Sequence, residues 1–492
     1  MQGRKEYEEK LFVNFRLSQR VPEGNFYRRL NDFLDLSYLR KLTEKYYGRE
    51  GQKSIDPVVF FKFMLVGYFE NINSDRKIIE QSSLRLDILY YLGYDIDEPL
   101  PWHSTLSRTR KLLGEEVFLE LFRDILRKCV EKGMVNGRIQ AIDSAFIKAN
   151  ASMDSIVEKE LKFSSKKYFD DITDNEDNID DNNKKLKRRD KGDSKYNEKF
   201  VSKTDPDSRV SQKQGKPPLL NHLGIISVDT QNHVICGAAV DFANKRDFMT
   251  TEFIVGQTLE NLKENNIKVE EVLADGGYSG PESYKYLEQK EITAYIPYPA
   301  TYKPQRDGFI YDREEDCYIC REGIKLSFRG IKYHNHINTP QKIYRSKTKD
   351  CRSCQFKEQC CKSSFKQLED SFYKPYYDAA YKRMNSKQGK QKMRLRSSTV
   401  EPVWGTLLNF MKMKKVYTKV NVLANKQLLM AATAYNLKKL MKFVSPKSIA
   451  KEAKSVVKVV NSAFLHFNTG VVNIYNEFFM FLRTKKCVFT LL

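Results

Sequence analysis

The sequence has no apolar run long enough to cross a bilayer. Its longest, Val58–Phe69, is twelve residues with Lys62 inside it, against the roughly twenty that a membrane helix needs. The opening MQGRKEYEEK has no apolar segment, so a secretory leader is not expected. Acid is short relative to base. Against 85 Lys and Arg stand 63 Asp and Glu, a net charge of +22 and a pI near 9.3. Such a surplus attracts a polyanion, most commonly nucleic acid. A membrane surface would be the rival partner, but no basic amphipathic anchor stands out. Without a secretion signal, the nine cysteines point to reduced thiols or metal ligands, not disulfides.

What is present is enough for a sizeable core. Hydrophobic residues at 41% and aromatics at 12% of 492 residues argue for a globular chain of roughly two to four domains. Residues 1–25 read as a flexible start. Residues 26–135 read as all helical, with spans expected at Phe26–Tyr47, from Asp56-Pro57 onward, and at Ser74–Leu92, His103–Leu113 and Glu115–Glu131. Short basic helices of this kind fit either a helix-turn-helix-like DNA reader or a plain bundle.

The stretch Arg138–Ser152, RIQAIDSAFIKANAS, organises the rest. Ile139–Ile142 is apolar and β-branched enough for a buried strand, then Asp143 interrupts it. A carboxylate inside a strand needs a salt bridge, a cap or a metal ion. Val269–Asp275, VEEVLAD, repeats the pattern and ends in Gly276-Gly277, which lets the backbone turn sharply and a ligand approach closely. Between them lie a hairpin, Leu223–Asp229 with His233–Val240, and a helix, Phe248–Glu264. Pro281–Lys290 and Ile292–Tyr298 continue as helix and strand. The order is mixed α/β, with both acids at strand positions. Residues 155–215 read as a mostly disordered charged insertion, centred on the acid-then-base run 168–193.

Residues 301–380 hold six of the nine cysteines between Cys317 and Cys361. Two CxxC pairs suit tetrahedral zinc. The favoured ligands are Cys320, Cys351, Cys354 and Cys360, with Cys317, Cys361, His334 or His336 as substitutes. The alternative is a cysteine-rich insert without metal. Either way, a small polar insert is expected to need a staple.

Tyr381–Val420 carries eleven Lys and Arg and a single acid, Glu401. Val400, Val403, Trp404, Leu407, Leu408 and Met411 recur at helical spacing, which puts Glu401 near a helix start with Pro402 in the first turn. A capping box, Ser398-x-x-Glu401, would occupy the glutamate instead. A helix over 424–443 is expected beneath it, and residues 446–492 form a tail.

The flanks AIDSAFIKANAS, VLADGGYSG and RSSTVEPVWG around Asp143, Asp275 and Glu401 resemble the DDE transposases of bacterial insertion sequences. So do SIDPVVFFKFMLVGYFENINSDRKIIE, TDPDSRVSQKQGK (204–216) and AATAYNLKKL (431–440). The closest group has a helical N-terminal domain, an RNase H-like core (136–300 and 381–445 here) and a cysteine-containing insert. The resemblance implies cleavage at insertion-sequence ends and transfer of the 3′-hydroxyl into target DNA. Asp143, Asp275 and Glu401 would hold two Mg²⁺ or Mn²⁺ ions, Asp143 bridging both. Arg396, Lys392, Arg394, Lys412, Lys414 and Lys415 would contact DNA. It also implies a homodimer on the terminal repeats and a cytoplasmic, nucleoid-associated bacterial protein. The rival functions are a metal-dependent nuclease that cuts without joining and a decayed transposase that only binds DNA. Family members often place glycine near Lys412 and Val420, and carry a Lys where Leu408 stands. A β-branched residue strains at positive φ, so the turn after the glutamate helix is expected to differ here.

Overall fold

The computed structural model of the chain describes residues 15–48, 50, 53–159, 194–213, 215–299, 302–334 and 337–444. Up to Glu131 the described elements are helical: α1 Leu17–Arg20, α2 Phe26–Phe33, α3 Tyr38–Thr43, α4 Pro57–Phe69, α5 Asp75–Leu84, α6 Leu86–Leu92, α7 His103–Leu112 and α8 Glu115–Glu131. The acid run 168–193 and residues 445–492 lie outside the described residues.

Two expected helices are each divided. Phe26–Tyr47 breaks because Leu34 and Leu36 are buried with the Leu34 backbone extended; burial of this short segment outweighs helical spacing. Ser74–Leu92 breaks at Arg85, also extended, whose guanidinium pairs with Glu70 at 2.9 Å and Asp87 at 2.7 Å. α4 starts as its sequence predicts, with the Asp56 carboxylate accepting from Val58 N and Pro57 in the first turn. It is buried nearly all round, the pattern of a central helix. Lys62 is tolerated there because its ammonium donates to Asn31 Oδ1 and the Tyr91 carbonyl, at 2.8 and 2.6 Å.

The strands follow: β1 Ile139–Lys148, β2 Ile156–Glu158, β3 Phe200–Ser202, β4 Arg209–Ser211, β5 Leu219–Asp229, β6 Ile235–Phe242, β7 Glu271–Leu273 and β8 Thr293–Tyr295. Helices α9 Thr251–Lys263 and α10 Pro281–Gln289 are interleaved. β1 is central. β5 pairs with it antiparallel, placing Asp143 opposite Ile226, and β7 pairs with it parallel. β6 lies outside β5, β8 outside β7, and β4 pairs with the start of β5. This mixed order is that of an RNase H-like core. Residues 194–213 are ordered in this structure, contrary to the expectation for 155–215: β3 pairs with β2, and β4 joins the main sheet.

The outer edge of β6 is closed by amide side chains. Asn436 Oδ1 accepts from Ile235 N, Gln257 Oε1 from Ala238 N and Asn425 Oδ1 from Val240 N, each at 2.9 Å. Asn261 and Asn436 donate to the Cys236 and Ile235 carbonyls. These groups take the place of a neighbouring strand, so buried edge amides are not left unpaired.

The cysteine-rich insert is a five-stranded antiparallel sheet: β9 Phe309–Asp312, β10 Cys317–Cys320, β11 Lys325–His334, β12 Ile337–Arg345 and β13 Gln367–Ser371. It has a core of its own. Tyr318, Leu326 and Tyr344 are almost wholly buried, with Phe309, Tyr311 and Leu368 packed against them. The expected need for a metal staple is therefore corrected: apolar burial already holds this sheet together.

Three long helices complete the described chain: α11 Lys374–Asn385, α12 Lys387–Phe410 and α13 Asn421–Phe443. The contacts assign Leu437–Phe443 to a second unit that runs to Leu492; its described part is the last turns of α13. The N-terminal helices dock on α12, α13 and the turn between them. Tyr68 Oη donates to the Gln427 carbonyl at 2.9 Å, and Lys426 Nζ to the Arg110 and Leu113 carbonyls. Lys412 is buried over the Tyr68 ring, 4.6 Å from its centroid. A Cβ on Gly67 would come within 3.0 Å of its ammonium and 2.6 Å of Ile78.

The turn between α12 and α13 does not differ as expected. Lys412 and Val420 both adopt left-handed backbone, φ 64° and 65°. The TDPDSR segment holds this conformation. Asp205 Oδ1 accepts from Val420 N and Asp207 Oδ2 from Asn421 N, both at 2.9 Å. Asp205 is fully buried and its other oxygen meets His222 Nε2 at 3.0 Å, while His222 Nδ1 lies 2.6 Å from Asn421 Oδ1. Anions at the start of α13 also suit its dipole.

Left-handed backbone costs a residue with a Cβ about 1–2 kcal/mol. Val420→Gly is therefore expected to raise stability by about 1 kcal/mol after glycine's extra unfolded-chain entropy, read as a higher urea midpoint at unchanged slope. Burial, followed by repulsion from Arg110, pushes the Lys412 ammonium down to about 7. A lysine lowered in this way penalises folding below about pH 7, and the penalty fades as pH rises toward the unfolded value. Lys412→Met should raise the thermal midpoint at about pH 6 and show a shrinking gain toward about pH 10.

Candidate active site

Asp143 follows the fully buried Ala141 and Ile142 on β1. β7 pairs with β1 only through Ile139–Ala141 and stops at Leu273. Beyond that point β1 has an open flank. Asp143 faces this opening, and Asp275 sits two residues past the end of β7. The site thus lies just past the carboxyl end of β7 and midway along β1, and ligands in open α/β sheets usually bind at such strand ends. Asp275 is not within the strand, as the sequence suggested. It caps the turn Gly276–Tyr278, its Oδ1 accepting from Gly277 N at 2.9 Å. The two glycines differ: a Cβ on Gly276 would meet nothing within 4 Å, but one on Gly277 would come within 2.4 Å of Asp247 Oδ2 and 3.0 Å of Asp275 Oδ1.

The two aspartates converge on one cation. Arg396 Nη2 from α12 lies 2.8 Å from Asp143 Oδ1 and 3.5 Å from Asp275 Oδ2. Arg396 is 8% exposed and its Nε has no hydrogen-bond partner. Burial pushes the Asp143 carboxyl up to about 6, against the pull of Arg396 and with repulsion from Asp275 and Asp247 added. Two hard carboxylates aimed at a single positive point are a donor set that fits Mg²⁺ or Mn²⁺.

Asp247 is a residue that the sequence reading passed over. It opens the turn Asp247–Thr250 before α9, and Ser144 Oγ donates to its Oδ1 at 2.6 Å. Burial raises its carboxyl above the usual range. The Ser144 hydrogen bond opposes this and Asp275 adds to it. Nothing local in ANKRDF marks it, because its partners lie about 30 and 100 residues away.

Glu401 is placed differently. It lies well inside α12, which starts at Lys387 with Ser386 Oγ accepting from Gly389 N. Both the expected helix start near Glu401 and the capping box are corrected: Ser398 Oγ donates to the Leu395 carbonyl and caps nothing. Pro402 is tolerated inside the helix because it and Ser398 are exposed, so water can serve the carbonyl that its missing N–H leaves free. At ~100° per residue Glu401 lies about 140° around the helix from Arg396. It is exposed and lines an open surface groove with Met393, Arg394, Ser397, Ser398 and Pro402. Among the described residues no salt bridge joins Glu401 to Arg396, the cation shared by the two aspartates. Trp404 is a core residue, as expected, 5% exposed.

The basic residues separate into two groups. Arg394 and Lys414 are exposed and Lys415 half-buried. Arg396 and Lys412 are turned inward, and Lys392 is engaged with Glu271 beside the Tyr295 ring. These three are engaged within the fold, and of the six expected DNA contacts Arg394 and Lys414 are the exposed ones.

In the insert, Cys320, Cys354 and Cys360 line one cavity of about 320 Å³. Cys351 sits apart from it, its Sγ 3.0 Å from Ser346 Oγ. Burial, then the neighbouring Cys360 and Cys351 thiols, raises the Cys361 thiol. No described cysteine is in a disulfide. The group with metal-ligand spacing among the described residues is Asp312, Glu315 and Cys317, so the four favoured sulfurs are not gathered into a tetrahedron. His336 and the His334 side chain lie outside what is described. A cavity of about 760 Å³ between β9, β10 and α11 contains none of the predicted acids.

The Asp143 shift has a sign. A carboxyl raised from 3.8 to about 6 by folding weakens the fold as pH rises between those values. In metal-free protein, Asp143→Asn should have a thermal midpoint near wild type at about pH 4. The gain should grow through the interval and level off above about pH 6.

Two family models match the sequence: "Transposase domain (DUF772)" over residues 15–112 and "Transposase DDE domain" over residues 319–441. No curated protein matches the chain. Among solved structures, one described as "Mos1 transposase paired-end complex with left transposon end" is similar at 10% identity and a TM-score of 0.17. The match covers 54% of this chain and 67% of that one. Helices α1–α7 lie inside the first match and α12, with Glu401, inside the second, so in both stretches the chain is similar to transposases, and in the second to their DDE domain.

Proposed function

We propose that this chain is a transposase that cleaves DNA at the ends of an insertion sequence and transfers the freed 3′-hydroxyl into target DNA, using Asp143, Asp275 and Glu401. The observation that carries the reading is the convergence of the Asp143 and Asp275 carboxylates on one cationic point. Asp143 and Asp275 would hold Mg²⁺ or Mn²⁺ with Glu401, which has to approach from the flank of α12. Bound there, such ions neutralise charge at a scissile phosphate and make water or a 3′-hydroxyl a better nucleophile.

The chain's own residues bind and orient the DNA. The groove beside Glu401, with exposed Arg394 and two serine hydroxyls, can take a phosphodiester backbone up to the acids. Lys414 extends the basic surface past the end of α12. Arg396 neutralises the two aspartates and keeps them at one point. The docked N-terminal helices present further bases, Arg108 and Lys111 on α7 among them. Two ends handled together imply a dimer on DNA. No described helix is long and apolar enough to cross a membrane.

The test uses labelled duplexes from the DNA flanking the gene, with Mg²⁺ or Mn²⁺, for wild type, Asp143→Asn and Glu401→Gln. Wild type should nick at a fixed end and give joined products. Each variant should lose both by at least ~100-fold, the scale of a lost essential group. Nicking without joining would favour a nuclease, and specific binding without nicking a decayed transposase.

A further inference from the structure

We propose that Asp247 is a third carboxylate ligand of the divalent-cation centre built on Asp143 and Asp275. The proposal rests on the metal-dependent reading above. Asp247 comes from the opposite side of the chain topology, where β6 leads into α9, yet its carboxylate enters the same opening. One oxygen is fixed by the Ser144 hydroxyl at 2.6 Å, next to Asp143 on β1. The other lies so near the Asp275 carboxylate that a single Cβ on Gly277 would touch both.

This placement is not explained by local structure. Arg246, not Asp247, precedes the turn as its cap, and the Asp247 side chain accepts from no helix amide. The carboxylate faces Asp275 with no ion pair of its own; Lys213 and Arg396 act on it only at longer range. Of the three carboxylates, Asp143 and Asp275 share the close Arg396 guanidinium, and Asp247 is left without a close cation among the described residues. Crowding like charges in a half-buried site opposes folding unless a cation enters. Arg396 is itself incomplete, with a buried Nε that has no partner.

The backbone holds Asp247 firmly. Thr250 Oγ1 donates to the Asp247 carbonyl at 2.7 Å, and Ser283 Oγ to the Phe248 carbonyl at 3.1 Å. The Phe248 ring fills the space that a Cβ on Gly280 would need. The Asp247 turn and the Asp275 turn are thus locked together, so the carboxylate pair is preorganised. Hard oxygen donors select Mg²⁺ or Mn²⁺ over softer metals. Asp247 already stands beside Asp275 on the neighbouring turn, whereas Glu401 has to come from the flank of α12; the three aspartate carboxylates have only to close on an entering ion to reach ligand spacing.

The experiment is a Mn²⁺ titration of DNA-free full-length protein, following free Mn²⁺ by electron paramagnetic resonance, with thermal midpoints recorded in parallel. Wild type is compared with Asp247→Asn, Asp143→Asn and Ser144→Ala. Sites lost in Asp143→Asn define the centre. Asp247→Asn should weaken those same sites at least ~10-fold, as loss of one ligand does, with a metal-free midpoint equal to or above wild type. Ser144→Ala keeps every carboxylate and removes only the bond that aims Asp247, so it should weaken them a few-fold. Wild-type affinity in Asp247→Asn, beside a loss in Asp143→Asn, overturns the Asp247 assignment alone. No loss in either variant overturns the metal centre and the assignment together. Should Asp247→Asn fail to fold, unchanged affinity in Ser144→Ala overturns the assignment.

Discussion

Two aspartates that face each other across the open end of a sheet repel, and burial makes the repulsion worse. The Arg396 guanidinium is what lets them sit there. It reaches Asp143 and Asp275 from α12, so the helix that carries Glu401 is tied to the strands that carry the aspartates. The three parts of the site lie more than a hundred residues apart in sequence, with the whole cysteine-rich sheet inserted between Asp275 and α12. Charge bridges from Arg396 to the aspartates and from Lys392 to Glu271 on β7 set the position of that returning helix against the sheet. Packing of Val400, Val403, Trp404 and Leu407 beneath it then fixes its rotation.

The same rotation decides which parts of the sequence were legible. Asp143 could be singled out because it interrupts an apolar strand, which has a physical cost that needs an explanation, and Asp275 because it follows the end of one and precedes two glycines. Glu401 could be found as one acid in a basic stretch, but its surroundings were misread. Proline suggested a helix start, and the sequence carries no sign that this proline falls on a solvent-facing stripe. Asp247 was illegible for the opposite reason. It sits in a charged turn that looks solvated, and only the pairing of β1 with its neighbours brings Ser144 and Gly277 to it. The aromatic core of the insert was likewise hidden behind its cysteines, which drew the reading toward metal and away from Tyr318 and Tyr344.

Charge was legible in sum and not in detail. The surplus of base in the chain is real, yet Lys392, Arg396 and Lys412 are used internally: one against Glu271, one between Asp143 and Asp275, one beneath Tyr68. A count of lysines and arginines therefore overstates the surface open to a polyanion. The TDPDSR segment gives the converse lesson. Its acids look like part of a solvated charged insertion. Asp205 and Asp207 in fact cap α13 and hold Val420 in a backbone conformation that a β-branched residue resists.

The amides along β6 bear on how such a molecule can associate. A sheet edge with free N–H and C=O groups invites another strand, from a second copy or from an unfolded chain. Here Asn425, Asn436, Gln257 and Asn261 already occupy that edge, so the central sheet ends at β6 and cannot be lengthened from that side. A second copy that approached this side would meet side chains, and such a contact could part with no backbone hydrogen bonds there to break.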